Sequence, residues 1–188
     1  MRLSENRAIA WIILAVCVII SVVGMGGSSY ARQRERIVDI YLEGAEDRDA
    51  NHCMDAYLKR MLENARLMAL EVQLHIGENH EEAAEIIELI SDYDSEADDG
   101  FFTIGRIYKQ LREQADYLYN DMYAAELTDA QRRDFKLAYD DFQGAVKMIE
   151  KDPYDQMAES FNDDINSSIL ADAVAGILGI DELCDVFY

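Results

Sequence analysis

Ala8-Ile-Ala-Trp-Ile-Ile-Leu-Ala-Val-Cys-Val-Ile-Ile-Ser-Val-Val-Gly-Met-Gly-Gly27 is a run of twenty residues without a charge. As a helix rising about 1.5 Å per residue it is roughly 30 Å long, the thickness of a bilayer's hydrocarbon core. Its ten Ile, Leu and Val residues favour insertion, together by roughly 3–6 kcal/mol. Ser21 is its one strongly polar side chain, and a helix satisfies it by bonding back to its own backbone. Trp11 sits near one end, where an indole suits the headgroup layer. Everything after the run is polar and acidic, with Pro153 as the single proline. The chain therefore reads as all-α, in three parts. Residues 1–30 form an N-terminal membrane anchor with short flanks. Residues 31–180 form an antiparallel up-and-down bundle of four to five helices, and residues 181–188 a C-terminal tail.

Other readings of the run compete with the anchor. A cleaved signal peptide would use Arg2 and Arg7 as its charged start and Ser29-Tyr30-Ala31 as its small-x-small cleavage site, but the run exceeds the usual apolar length of such a signal. Lipidation at Cys17 lacks the preceding small residue, since Val16 stands there. A buried core helix is rarely apolar all round over twenty residues. Arg2 and Arg7 precede the span, and Arg32, Arg34 and Arg36 follow it. The positive-inside rule then gives two against three, which leaves both orientations open.

Charge narrows the partners. The chain has 17 Lys and Arg against 38 Asp and Glu, a formal net charge of −21. Such a surface repels phosphate backbones, so no nucleic-acid binding is expected. It also repels anionic headgroups, which leaves residues 8–27 as the contact with the lipid bilayer. Eleven acids and no Lys or Arg lie between Arg66 and Arg106, and nine acids and no Lys or Arg follow Lys151. These blocks read as solvated faces and loops. Cys17 falls within the span, and Cys53 and Cys184 are too few for a disulfide framework or zinc site.

Apolar residues recur at helical period after the anchor. Arg32 to Ile76 reads as one long helix with an interruption near Gly44, carrying the stripe Met54, Leu58, Met61, Ala65, Met68 and Val72, with Gly77 as its stop. Asn79 and Glu82 form a capping-box pattern before a second helix with Ala83, Ile86 or Ile87, Ile90 and Tyr93 inward. After a loop over Asp94–Gly100, a third helix carries Phe101, Ile104, Tyr108, Leu111, Ala115, Leu118 and Met122. Thr128 and Gln131 make a second capping box before a helix with Phe135, Ala138, Phe142, Ala145 and Ile149 inward. Asp152-Pro153 opens a fifth segment with Met157, Phe161, Ile165 and Ile169, followed by the small-residue apolar run Ala171–Ile180. The tyrosines fall at or beside these stripes, as core and rim residues with their hydroxyls at the surface. Short loops between amphipathic helices imply antiparallel neighbours.

Little in the sequence carries chemistry. Asp92-Tyr-Asp-Ser-Glu-Ala-Asp-Asp-Gly100 is the densest oxygen-ligand cluster; it reads as a solvated interhelical loop, with a weak divalent-cation contact as the alternative. An EF-hand loop needs glycine at its sixth position and glutamate at its twelfth, where counting from Asp92 gives Ala97 and Thr103. His75 and His80 flank the Gly77 turn beside Glu78, Glu81 and Glu82, and two imidazoles with a carboxylate can bind a transition metal. Their spacing is not that of one helical face. Asp49-Ala-Asn-His52 only approximates the Glu-x-x-His of di-iron bundles. No phosphate loop, nucleophile elbow or His-Glu-x-x-His occurs. No catalytic, cofactor-binding or metal-ligating residue is assigned, and no cofactor is expected.

Two stretches carry a family resemblance. Met54-Asp-Ala-Tyr-Leu-Lys-Arg60, followed by Met61-Leu-Glu-Asn64, resembles the segment after the membrane helix in LemA family proteins, an Ile-Asp-x-x-Leu-x-Arg-Arg run leading into Leu-Ile-Pro-Asn. Glu63 stands at the proline position. Phe161-Asn-Asp163, Asn166-Ser-Ser-Ile169, Ala175-Gly-Ile-Leu-Gly-Ile180 and Val186-Phe187 resemble the family's closing pattern, without its Phe-Pro turn. The resemblance implies a single-pass protein with an antiparallel helical bundle on the cytoplasmic side and no enzymatic activity. The function expected is a protein-interaction or scaffold role in the cell envelope, the alternative being an extracytoplasmic ligand- or cation-binding sensor.

Overall fold

The computed structural model describes residues 7–44, 52–96, 101–167 and 169–179, and the described residues are helical with no strand among them. Helix α1 spans Arg7–Glu43, α2 Met54–His75, α3 Glu81–Glu96, α4 Phe101–Ala124, α5 Asp129–Ile149, α6 Tyr154–Asn166 and α7 Ile169–Leu178.

Helix α1 is one piece of 37 residues, roughly 55 Å long at about 1.5 Å per residue. It passes through residues 30 and 31 without a break. Within its most apolar stretch only 7% is buried, and Trp11, Ile12, Ile13, Leu14, Val16 and Val18 are all exposed. That excludes a buried core helix. Ser21 Oγ donates to the Cys17 carbonyl at 2.8 Å, so its hydroxyl is satisfied within the helix. Further along, Ile37 and Tyr41 are buried in the core. One rigid element therefore carries both the greasy run and part of the packed core.

The interruption expected near Gly44 divides Arg32 to Ile76 between α1 and α2. Gly44 takes φ 85°, a left-handed backbone that glycine adopts without a Cβ clash. Its N–H closes on the Ile40 carbonyl at 2.9 Å and ends α1.

Helices α2 to α5 form the four-helix bundle. Each packs on its chain neighbour, and α5 returns to close against α2. The expected stripes are its core: Met54, Leu58, Met61, Ala65, Met68 and Val72 are fully buried, facing Ile86, Tyr108, Leu111, Ala115, Leu118 and Phe142. Full burial of such side chains contributes roughly 1.5–3 kcal/mol each. Of the alternatives Ile86 and Ile87, Ile86 points in and Ile87 lies at the edge. Ala138 and Met157 also sit at the edge. Three cross-bundle bonds fix the antiparallel register. Gln131 of α5 meets His75 of α2 at 3.1 Å, Gln114 of α4 donates to Glu85 of α3 at 2.8 Å, and Gln143 of α5 donates to Asp116 of α4 at 3.2 Å.

The remaining helices buttress α1. Both α6 and α7 pack on α1 and on each other. The Asp152 carboxylate accepts the Tyr154 N–H at 3.0 Å, but Pro153 takes the N-cap place expected of Asp152, and α6 begins one residue later, at Tyr154. In α7, Ala171, Val174 and Ala175 are buried while Ile177 is exposed. The hydroxyls of Tyr41 and Tyr154 lie buried rather than at the surface, because these rings meet inside the α1–α6 joint. Cys53 is buried, Cys17 lies exposed on α1, and Cys184 falls outside the described residues.

Candidate functional site

At one end of the bundle the α2–α3 turn lies beside the end of α4 and the start of α5. Helix α2 stops when the N–H groups of Ile76 and Gly77 both turn to the Val72 carbonyl, at 2.8 and 3.3 Å. The chain reverses over residues 76–80, and α3 starts at Glu81, one residue later than a cap at Asn79 implies. His80 rather than Asn79 takes the leading place: its carbonyl accepts the Ala84 N–H at 3.0 Å.

The two histidines of this turn part company. His75 Nε2 lies 3.1 Å from Glu71 Oε2, and its Nδ1 lies 3.1 Å from Gln131 Nε2. The Gln131 carbonyl oxygen is engaged by the Thr128 N–H at 2.9 Å, so its amide nitrogen must face His75. A nitrogen donor there makes Nδ1 an acceptor and places the ring proton on Nε2, towards Glu71. Both nitrogens of His75 are thus committed within the protein, and His75 is not brought to His80.

His80 meets a residue that sequence proximity did not suggest. Its Nδ1 is 3.2 Å from Glu82 Oε2, and its Nε2 is 3.2 Å from Asp121 Oδ2 in the last turn of α4. One donor atom from each of these three side chains lies within 4.8 Å of the other two. The histidine side chain is 12% exposed, Glu82 35% and Asp121 48%. Nδ1 is shielded from solvent and makes no hydrogen bond of acceptable geometry, although the Glu82 oxygen is close. The missing partner is 41 positions away in sequence. The one signal for it was its register: Leu118 and Met122 point inward, which puts Asp121 at the rim.

The acidic cluster at Asp92 behaves differently. Helix α3 continues to Glu96, so Asp92, Asp94 and Glu96 are strung along a helix, where carboxylates cannot wrap one cation as a loop does. The expected loop from Asp94 is therefore helical for its first half, and residues 97–100 lie outside the described residues. Among the described residues, the grouping of His80, Glu82 and Asp121 lies at the opposite end of the bundle.

Besides a cavity of about 480 Å³ at the end of α2, lined by Leu70, Leu74, His75 and Ile76, two further cavities remain. One of about 100 Å³ between α4 and α5 is lined by Tyr119, Met122, Tyr123, Leu127, Arg132, Phe135 and Lys136. Its cations are engaged: Arg132 donates to the Tyr123 and Ala125 carbonyls, and Lys136 pairs with Asp140 at 2.6 Å. The other, about 510 Å³ at the α5–α6 junction, is lined mainly by Glu150, Asp152, Asp155 and Glu159. Neither lining pairs a nucleophile with a base.

No model of a known protein family, no curated protein and no solved structure matches this chain.

Proposed function

We propose that the chain is a single-pass membrane protein of LemA-like type, with its bundle on the cytoplasmic side, that acts by binding another protein rather than by catalysis. The observation carrying this reading is α1 itself, apolar and exposed at one end and built into the core at the other. Retention of the span, rather than cleavage, draws support from the middle of α1. Gly27 is buried and Tyr30 packs on the core, both upstream of the Ser29-Tyr30-Ala31 cut, so cleavage there would strip packing from the bundle.

A docking face accompanies the anchor. Leu67, Leu70 and Leu74 of α2 are 48%, 48% and 73% exposed and recur at three and four residues, one stripe along the helix. Arg60, Glu63, Arg66 and Glu71 border it. Its fitting occupant is an amphipathic helix of a partner protein with Leu-type anchors. A photo-crosslinking residue at Leu70 in membranes should give one discrete adduct, lost in L67E/L74E with the melting temperature unchanged. Absence of any adduct sinks the docking reading. Full-length protein washing off membranes without detergent sinks the anchor. The second reading, a cation-responsive domain, is favoured by the His80, Glu82 and Asp121 grouping.

A further inference from the structure

We infer that His80, Glu82 and Asp121 form a binding site for a divalent first-row transition metal that staples the start of α3 to the end of α4. This site is independent of where the anchor places the bundle.

Geometry carries the inference. Zinc bonds to nitrogen and oxygen are about 2.0–2.2 Å, so two ligand atoms of one tetrahedron lie roughly 3.3–3.5 Å apart. His80 Nδ1 lies 3.2 Å from Glu82 Oε2, close to the spacing of two ligands on one ion, while Nε2, on the other side of the ring, lies 3.2 Å from Asp121 Oδ2, the distance of a hydrogen bond that orients the ring. A hydrogen-bonded pair at that distance has the proton aimed at the acceptor, whereas co-ligands aim their lone pairs at a third point. His80 Nδ1 is buried and not in line with the Glu82 oxygen, which is the second arrangement. Only one nitrogen of the ring takes the metal. The other then carries the proton and faces the remaining carboxylate, which orients a ligating histidine and fixes its tautomer.

Charge and donor type select the cation. Two carboxylates with a neutral imidazole balance one divalent ion. The net charge of −21 raises the local cation concentration further. Nitrogen with oxygen donors suits zinc, cobalt, nickel or manganese. Calcium takes six to eight oxygens, which this grouping does not supply. Glu82 is about a third exposed, which leaves water to complete the coordination.

The test uses full-length protein in detergent micelles, with zinc and cobalt chlorides as probes. Zinc at tens of micromolar should raise the melting temperature by roughly 3–8 °C. Cobalt should give visible absorption bands that zinc displaces. H80Q and E82Q should each abolish both signals and D121N should weaken both, while Glu71→Gln, next to His75, should keep them. E82Q serves alone if H80Q does not fold. An unchanged melting temperature in zinc overturns the proposal and leaves an ion-pair cluster. Equal shifts in wild type and E82Q overturn it too, placing the ion elsewhere on the acidic surface. So does an equal rise in calcium, which would mean charge screening without a nitrogen ligand.

Discussion

Tyr41 and Tyr154 meet with ring centroids 5.2 Å apart and planes tilted by 60°, joining the end of α1 to the start of α6. Both rings are essentially buried, so this contact couples the apolar helix to the folded domain. Tyr41→Ala and Tyr154→Ala should each destabilise by about 3–5 kcal/mol. A double-mutant cycle should return about 0.5–1.5 kcal/mol of coupling. Urea unfolding of the full chain in micelles, followed by circular dichroism, measures both. Strict additivity would show that the rings do not support one another.

Two glycines should respond to alanine with opposite signs. Gly144 lies inside α5, and a Cβ there meets nothing within 4 Å. Gly144→Ala should stabilise by about 0.5–1 kcal/mol, because the unfolded chain loses freedom and no clash is added. Gly44, at φ 85°, should instead lose about 1 kcal/mol as alanine, since an L side chain is strained in that region. Thermal melts of the two variants decide the matter, and a shared sign would contradict the backbone assignment.

Thr128 and Gln131 form a reciprocal capping box at the start of α5. Thr128→Ala should cost about 1 kcal/mol and Thr128→Ser close to nothing. Gln131→Ala should cost more than Thr128→Ala, because it also removes the donor to His75 Nδ1. Equal losses would mean that the His75 contact contributes no stability.

Alkaline pH should unfold the domain through its tyrosines. Burial, then the carboxylate of Asp55, pushes Tyr93 up to about 12. Burial and the bond it donates to Asp116 push Tyr139 up to about 12. Burial, with Tyr93 next, holds Tyr41 well above the ordinary tyrosine range. Folded values above the unfolded value near 10 mean the phenol form favours folding. That stability is complete below about pH 10 and is lost as pH rises through 12. Tyrosinate absorbance and helical dichroism should therefore change together between pH 10 and 12, with a shallower loss in Tyr139→Phe. These tyrosines ionising near pH 10 while helix content holds would refute it.

The helical stripes were legible because each rests on local spacing: Met54 to Val72 shows its period of four and three within one helix. The capping box at Thr128 was legible for the same reason. Positions set by competition between neighbouring groups were not. His80 displaced Asn79 at the start of α3 because its carbonyl bonds Ala84. Asp92, Asp94 and Glu96 lie on α3, which extends to Glu96.

The order of residues alone determined the all-helical fold, the greasy N-terminal run and the acidic surface, since hydrophobic period and charge are summed along the chain. Tertiary structure alone decided that Asp121 rather than His75 faces His80, and that Tyr41 and Tyr154 bury their hydroxyls. Those outcomes depend on which helix ends meet in space, and closing a bundle sets that through long-range packing that no local pattern encodes.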